Sequence, residues 1–167
     1  MRVLVILSLA ATAPALSRTI VETFGAPRDV IEDGPLGGNG GSQWSDGGEV
    51  HLNGEISSME LNTGSGVDGI RVQYGDVWGD NHGYSGDGAY QQTFTIGKGA
   101  RITIVQGREG DSIDMLEFIT DDGAVFGPYG GNGGEPFVAV HPGCFLSYLS
   151  GMAGDRLDSL TLHWDCP

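Results

Sequence analysis

Three segments of the chain alternate strictly between apolar and polar residues. Their apolar positions are Ile70, Val72 and Tyr74 in the first segment, Leu116 and Phe118 in the second, and Leu160, Leu162 and Trp164 in the third. A period of two places successive side chains on opposite faces of an extended strand. The pattern therefore predicts three β-strands, each with one face buried and the other in solvent.

A Gly-x-x-x-Asp motif precedes each of these strands. Its aspartates are Asp68, Asp114 and Asp158, which lie 46 and 44 residues apart. The motif by itself is weak evidence in a chain with 30 glycines, and other copies of it occur. The regular spacing and the alternating strand after each of the three copies indicate an internal repeat.

A glycine-rich segment recurs with a similar period. Residues 34–41 read Gly-Pro-Leu-Gly-Gly-Asn-Gly-Gly, residues 127–134 repeat them with one change, and residues 82–88 form a weaker copy between the two. Each copy is followed by a strand-like stretch, a turn glycine and a second strand. The turn glycines are Gly54, Gly99 and Gly143. Because no copy could bury its apolar face alone, the repeats predict one closed all-β domain with pseudo-threefold symmetry.

Length and charge narrow the class of protein. A chain of 167 residues suits one domain. It carries 22 acidic and 8 basic side chains, so its net charge of −14 disfavours binding to nucleic acid or to an anionic lipid surface. No apolar run outside the first twenty residues is long enough for a transmembrane helix, and we expect no insertion into a membrane.

The N-terminus is typical of a secretory signal. A short charged start is followed by an apolar run over residues 3–11, and Ala11, Ala13 and Ala15 offer small residues for cleavage. We predict a signal peptide at residues 1–17 and therefore an extracellular protein. Residues 18–33 are expected to be a leader or an outer strand, and the repeated domain is expected to span residues 34–167.

The two cysteines of the chain are expected to form a disulfide. If residues 144–150 and 157–166 pair antiparallel about residue 155, Cys144 lies directly opposite Cys166. Directly opposed residues in a non-hydrogen-bonded pair have Cα atoms close enough for a bridge. A secreted chain meets an oxidising compartment, which favours the disulfide over two free thiols.

The repeated loops have a chemistry that suits a neutral polyol. A carboxylate accepts hydrogen bonds from neighbouring hydroxyls, and backbone N–H groups donate to ring and hydroxyl oxygens. Glycines allow a facing loop to approach the ligand without the obstruction of a Cβ atom. Such a site needs no metal or cofactor, and the four histidines show no metal-ligand spacing.

These motifs resemble the jacalin-related lectins. The resemblance rests on the Gly-Pro-x-Gly-Gly-Asn-Gly-Gly segment, the repeated Gly-x-x-x-Asp loops and the closing Leu-Thr-Leu-His-Trp-Asp of residues 160–165. That last strand is similar to the secreted animal branch of the zymogen granule protein 16 type. The resemblance covers about residues 34–166 and implies a β-prism of three four-stranded antiparallel sheets. It also implies a non-catalytic protein that binds glycans or glycoproteins.

The resemblance implies a main carbohydrate site and two further candidates. Asp158 would accept hydrogen bonds from two hexose hydroxyls, the N–H groups of Asp155 and Arg156 would donate to the ring oxygen and O6, and Gly41 would close the other side. The main set is Gly40, Gly41, Gly154, Asp155, Arg156 and Asp158. The second and third sets are Asp68 with Gly86 and Gly88, and Asp114 with Gly133 and Gly134.

The resemblance also bears on specificity. Galactose preference in this family accompanies a processed chain with a free N-terminus at the site. Because residues 16–33 precede the first glycine loop, we expect the unprocessed mannose or glucose type. Charged Asp155 and Arg156 depart from the animal branch, and the acidic loop at residues 108–112 argues against binding of acidic glycans.

Other interpretations of the same residues stay open. The three motif aspartates could simply cap turns at strand entrances. The domain could be an interaction scaffold, or a calcium-binding module, although the repeats are far longer than those of Gly/Asp-rich calcium turns. A glycosidase is disfavoured, because catalysis needs two inequivalent carboxylates and the repeats offer three equivalent ones. A single shallow hexose site binds weakly, so useful affinity would need several sites or a homo-oligomer.

Overall fold

A computed structural model describes residues 29–85 and 90–166. The predicted signal peptide and residues 18–28 lie outside these ranges. Within them the chain forms twelve strands and one helix. These are β1 (Asp29–Gly37), β2 (Ser42–Ser45), α1 (Gly47–Asn53), β3 (Ile56–Thr63), β4 (Val67–Tyr74), β5 (Val77–Gly83), β6 (Gln91–Thr95), β7 (Ile102–Glu109), β8 (Ile113–Thr120), β9 (Val125–Gly130), β10 (Glu135–Val140), β11 (Phe145–Ala153) and β12 (Leu157–Cys166).

The strands form three four-stranded antiparallel sheets. Sheet 1 has the order β1-β12-β11-β2, sheet 2 the order β5-β4-β3-β6, and sheet 3 the order β10-β7-β8-β9. The three strands predicted from alternation are β4, β8 and β12. Each lies inside its own sheet, and the three contact one another at the centre of the domain. This architecture confirms the expected all-β prism with three related sheets.

The core is built from the inward faces of the three sheets. Tyr74, Phe118 and Trp164 occupy related positions in β4, β8 and β12, and none of the three is exposed to solvent. The other apolar positions of the three alternating segments are also fully buried. Burial of each such side chain contributes about 1.5–3 kcal/mol, so the alternation identified in the sequence carries much of the stability.

The stretch between the first glycine-rich segment and Gly54 departs from the prediction. It was expected to be strand-like throughout, but only Ser42–Ser45 is extended, and Gly47–Asn53 forms α1. The chain turns inward at Asp46, whose N–H donates to the carbonyl of Leu149 and whose carbonyl accepts the first hydrogen bond of the helix. In the part of the chain that the structure describes, no helix is long and apolar enough to cross a membrane.

A buried carboxylate joins sheets 1 and 2. Asp46 is 3% exposed, and its carboxylate accepts a hydrogen bond from Tyr74 Oη at 3.1 Å and lies 2.8 Å from His82 Nε2. The imidazole of His82 stacks on Trp44 with ring centroids 3.7 Å apart. Burial, together with the Asp46 carboxylate, raises the pKa of Tyr74 well above its ordinary value. Tyr74 therefore stays a hydrogen-bond donor, which satisfies the buried carboxylate.

Strand β1 belongs to the domain although half of it precedes residue 34. It begins at Asp29 and pairs along β12 as the edge strand of sheet 1. The Asp33 carboxylate accepts a hydrogen bond from Trp164 Nε1 at 2.9 Å and contacts His141 Nε2 at 2.8 Å. The largest side chain of the core therefore has its polar atom satisfied by a residue of the segment that was expected to be a leader or an outer strand.

The disulfide between Cys144 and Cys166 is present, as predicted from the pairing of β11 with β12. The two Cα atoms are 4.3 Å apart. Phe145 lies opposite Asp165, the register that the prediction requires, although the ladder contains two irregularities. One extra residue on β11 near residue 147 and one on β12 at Asp158 offset each other, so the cysteines still meet.

Loss of this disulfide should destabilise the domain. The bridge closes a loop with a sequence separation of 22 residues. In the chain-entropy model, removing a cross-link over such a loop costs about 3 kcal/mol of unfolding free energy. We expect a loss of this size when Cys144 and Cys166 are both replaced by Ser, measured by urea denaturation. A reducing agent should destabilise the unaltered protein and leave the double variant unchanged, and equal stability of the two proteins would refute the expectation.

Candidate functional site

The three motif aspartates are the extra residues of three β-bulges. In sheet 1, Met152 lies opposite Ser159 and Ala153 opposite Leu157, so Asp158 has no partner across the ladder. Asp68 and Asp114 are skipped in the same way in β4 and β8. A bulge inserts one residue into one strand and redirects its side chain. The repeated motif therefore encodes a repeated bulge rather than only a turn.

The bulge decides which way each aspartate points. Strict alternation from Leu160, Leu162 and Trp164 would direct residue 158 into the core. The bulge shifts the alternation of inward and outward side chains by one residue. Leu157 is therefore the fully buried side chain, and Asp158 is half-buried at the strand end. The equivalent apolar residues of the other strands, Val67 and Ile113, are also buried. Each aspartate is thereby excluded from the core and placed at one end of the prism.

The first glycine loop surrounds the Asp158 carboxylate. The N–H of Gly38 donates to the carbonyl of Asp158 at 2.8 Å. A Cβ atom at Gly40 would overlap Oδ1 of Asp158, and one at Gly154 would lie 3.5 Å from Oδ2. A Cβ at Gly41 would overlap the backbone of residue 153. Gly40, Gly41, Gly154 and Asp158 are therefore brought together, and we call this group the Asp158 site.

The same arrangement recurs around Asp114. The N–H of Gly131 donates to the Asp114 carbonyl at 2.8 Å, and a Cβ at Gly133 would overlap Oδ1 of Asp114. Gly134 lies against Oδ2 of the same carboxylate. The expected grouping of Asp114 with Gly133 and Gly134 is thus seen in the structure. We call it the Asp114 site.

The third arrangement, around Asp68, is described only in part. The N–H of Tyr84 donates to the Asp68 carbonyl at 2.9 Å, and a Cβ at Gly64 would lie 2.8 Å from Oδ2 of Asp68. These contacts match those of the other two sites. The predicted partners Gly86 and Gly88 lie outside the described residues.

Asp155 and Arg156 form the tip of the loop at the Asp158 site. Both are exposed, and the carbonyl of Arg156 accepts a hydrogen bond from the N–H of Gly154 at 3.0 Å. The corresponding turns at the other two sites have the same bond, from Gly64 to Gly66 and from Gly110 to Ser112. The three loops therefore share one backbone conformation despite different side chains.

Each glycine loop also packs against the turn of a neighbouring repeat. A Cβ at Gly38 would overlap the carbonyl of Asp111, and one at Gly131 would overlap that of Ser65. A Cβ at Gly83 would lie 3.0 Å from the carbonyl carbon of Arg156. The three sites therefore interlock around the pseudo-threefold axis, and their glycines are needed for close approach of backbone to backbone.

Two contacts at this end of the prism were missed by the sequence reasoning. Glu109 accepts a hydrogen bond from the N–H of Gly37 at 2.7 Å, which joins the Asp114 loop to the first glycine loop. Arg108 donates to the carbonyls of Gly133 at 2.7 Å and Gly134 at 2.6 Å. Neither residue belongs to a repeated motif, because Met152 stands where Arg108 would recur, so the repeats gave no signal for them.

A row of contacting polar side chains lies on the outer face of sheet 1. Ser150 Oγ is 2.7 Å from His163 Nε2, and Glu32 Oε1 is 3.2 Å from His163 Nδ1. The ring of Tyr148 stacks on the imidazole with centroids 4.0 Å apart. Burial lowers the pKa of His163, and the Glu32 carboxylate partly opposes this shift. Burial and Glu32 both raise the pKa of Tyr148.

The site can bind a neutral, hydroxyl-rich ligand without chemical transformation. It offers carboxylate acceptors, exposed backbone and glycine surfaces at three related positions. In residues 29–85 and 90–166, no group of three or more His, Cys, Asp or Glu side chains is placed to hold a metal ion. A β-prism with glycine-enclosed aspartates at one end fits the lectin class that the loop motifs resemble.

Comparison with known proteins agrees with this class. The sequence model of the Jacalin-like lectin domain matches residues 33–163, so the chain belongs to the Jacalin-like lectin family. Lectins bind carbohydrate without transforming it, and this chain is a carbohydrate-binding protein rather than an enzyme. The family expected from the loop motifs is thereby confirmed.

Relatives and solved structures extend the comparison. Zymogen granule membrane protein 16 of Rattus norvegicus is 33% identical over 135 residues, covering 79% of this chain and 78% of the relative. Griffithsin of a Griffithsia species is 37% identical over 130 residues, covering 78% and 93%. The artocarpin–mannotriose complex superposes with a TM-score of 0.72 at 26% identity, covering 81% of this chain and 97% of artocarpin. Malaysian banana lectin superposes with a TM-score of 0.70 at 26% identity, covering 83% of this chain and 100% of the banana lectin.

The close approach at Gly41 should make this position intolerant of a side chain. Gly41 and Gly143 both have positive φ angles, +73° and +82°. An added Cβ meets backbone at Gly41, whereas it has nothing within 4 Å at Gly143 among the described residues. We expect Gly143→Ala to lose about 1 kcal/mol of unfolding free energy, because backbone strain is its only cost. Gly41→Ala should lose about 3 kcal/mol, because the overlap with backbone adds to the same strain. Urea denaturation measures both, and equal losses would contradict the packing argument.

His163 should make the stability depend on pH. Because burial lowers its folded-state pKa below the ordinary 6.5, the unfolded chain takes up a proton more readily than the folded one. The contribution of neutral His163 to the unfolding free energy is therefore complete above pH 6.5. It is lost as the pH falls from 6.5 through the lowered pKa of His163. We expect His163→Gln to reduce the decline of unfolding free energy between about pH 7.5 and pH 5. The control is the same replacement at the exposed His51, His51→Gln. If the unfolding free energy of His163→Gln declines as steeply as that of the unaltered protein, His163 is not the source of the pH dependence.

Proposed function

We propose that this chain is a secreted, metal-independent lectin for glycans of the mannose or glucose type. Its main site comprises Gly40, Gly41, Gly154, Asp155, Arg156 and Asp158. The candidate sites at Asp68 and Asp114 would bind further sugar residues of the same or another glycan.

The observation that carries the proposal is the position of the Asp158 carboxylate. The bulge places it at the strand end, and Gly40 and Gly154 leave the space beside its two oxygens free of side chains. A carboxylate accepts hydrogen bonds from two hydroxyls of one hexose. The N–H groups of Asp155 and Arg156 at the loop tip would donate to the ring oxygen and O6. This set of donors and acceptors holds a sugar without a cation.

Specificity for mannose or glucose is supported by the chain that leads into the site. Strand β1 leads into the first glycine loop and pairs with β12, the arrangement expected of the unprocessed type. Artocarpin, which superposes on this chain, has been crystallised in complex with mannotriose. The strand that leads into the loop supports the unprocessed type of site, and the artocarpin complex supports mannose as the sugar.

Secretion is supported by two features of the chain. Residues 1–17 have the pattern of a signal peptide, although they lie outside the described residues. Cys144 and Cys166 form a disulfide, the form that cysteines take in oxidising compartments. An exported protein would meet glycans on cell surfaces or in secretions.

The site should bind a monosaccharide weakly. A shallow site for one hexose has a dissociation constant of about 1 mM, or about −4 kcal/mol. Three related sites at one end of the prism, or a homo-oligomer, would raise the affinity for a multivalent glycan by avidity.

Asp158→Ala should abolish most monosaccharide binding and leave the fold intact. The variant removes the acceptor for two hydroxyls, whereas the half-buried carboxylate contributes little to the core. We expect calorimetric titration with methyl α-mannoside to show at least about a tenfold weaker affinity, and no effect of EDTA on the unaltered protein.

Two controls make this titration decisive. Asp114→Ala and Asp68→Ala make the same replacement at the related bulges, so their effects show how many sites take part. The urea midpoint of Asp158→Ala reports its fold. A folded Asp158→Ala variant that binds mannoside normally would overturn the assignment, as would binding that EDTA abolishes.

A further inference from the structure

A groove of about 360 Å³ opens on the outer face of sheet 1, next to the Asp158 site. We propose that it is a subsite for a further sugar unit of an oligosaccharide whose terminal hexose is bound at Asp158. The inference rests on the proposed function and extends it from a single hexose to a longer glycan. The polar lining of the groove is formed by Asn39, Gln43, Ser150, Ser159 and Thr161.

The groove and the Asp158 site share the same two chain segments. Gly38 and Asn39 line the groove, and the next residue along this loop, Gly40, faces the Asp158 carboxylate. On β12, Ser159 lines the groove and directly follows Asp158. A sugar unit attached to a hexose at Asp158 would therefore find the groove within one residue of the site on both sides.

The groove has the surface chemistry of a carbohydrate subsite. Every residue that lines it is uncharged. The amides of Asn39 and Gln43 and the hydroxyl of Thr161 both donate and accept hydrogen bonds, as sugar hydroxyls do. Pro35 and Met152 add apolar surface, which suits the C–H faces of a pyranose ring. An acidic or basic ligand finds no counter-ion among these residues.

His163, behind the groove, sets the direction of the Ser150 hydroxyl. The Glu32 carboxylate, 3.2 Å from Nδ1 of His163, electrostatically favours the neutral tautomer with its proton on Nδ1, which leaves Nε2 as an acceptor. The Ser150 hydroxyl therefore donates to Nε2. Its oxygen lone pairs remain to accept from a hydroxyl of the ligand.

The equivalent positions of the other two sheets are filled by longer side chains. Ser150 lies opposite Thr161 in sheet 1. The corresponding pair is Gln106 and Glu117 in sheet 3 and Glu60 and Arg71 in sheet 2. In sheet 3 the Gln106 amide also donates to Glu117, which closes the space between the strands. Small hydroxyl residues at this pair thus distinguish sheet 1 from its pseudo-symmetric copies.

The test transfers the sheet 3 pair into the groove. The double variant Ser150→Gln/Thr161→Glu installs side chains that already occur at the equivalent place, so it should fold. Val138→Gln/Val140→Glu adds the same side chains at exposed positions of edge strand β10 and serves as the matched control. Each protein is titrated by calorimetry with methyl α-mannoside and with mannotriose.

We expect the unaltered protein and the control to bind mannotriose at least about tenfold more tightly than methyl α-mannoside. This gain in affinity exceeds the few-fold statistical gain that a trisaccharide has because it carries more than one terminal mannose. The groove variant should keep the mannoside affinity and lose this gain. Equal binding of the two sugars by the unaltered protein would overturn the subsite alone, as would a groove variant that keeps the gain. Failure of the unaltered protein to bind either sugar would overturn both the subsite and the proposed function.

A second measurement locates the bound sugar. In ¹H–¹⁵N spectra of the unaltered protein, the side-chain amide signals of Asn39 and Gln43 should shift with mannotriose and less with methyl α-mannoside. The amide of Gln106, on the outer face of sheet 3, should stay unchanged. Mannotriose binding that leaves the Asn39 and Gln43 signals in place would exclude the groove.

Discussion

One extra residue in each of three central strands creates the end of this prism at which the three candidate sites lie. A strand with strict alternation would direct Asp158 into the core, where an unpaired carboxylate is costly. The bulge instead gives the core position to Leu157 and places Asp158 at the strand end. The same change of parity occurs at Asp68 and Asp114. The apolar core and the polar site are therefore consequences of a single feature of the backbone.

The glycines around these bulges serve the packing of the loops and leave space beside the aspartates. Gly38 and Gly131 donate to the aspartate carbonyl of their own sheet and lie directly against the turn of a neighbouring repeat. Side chains at these positions would separate the loops. The hydrogen bond from Gly37 to Glu109 adds a further connection between two repeats. The loops of neighbouring sites are thus in direct backbone contact.

Sheet 1 has diverged from the other two sheets. It contains the disulfide, the edge strand whose Asp33 satisfies Trp164, and a row of small hydroxyl residues on its outer face. In sheet 3, the place of Met152 is taken by Arg108, which holds its own glycine loop instead. Pseudo-threefold symmetry therefore describes the backbone, while the side chains make each sheet chemically different.

The sequence by itself determined the alternating strands, the repeat and the disulfide, which follow from alternation and spacing, signals that are local or strictly periodic. The grouping of Asp158 with Gly40 and Gly41 was implied by the resemblance of the loop motifs to the jacalin-related lectins. The tertiary structure alone decided the bulges, the turn of Asp46 into a buried contact with Tyr74, and the groove beside the site. Each of these depends on residues distant in sequence that meet only when three sheets close around one core, so no single segment contains the information.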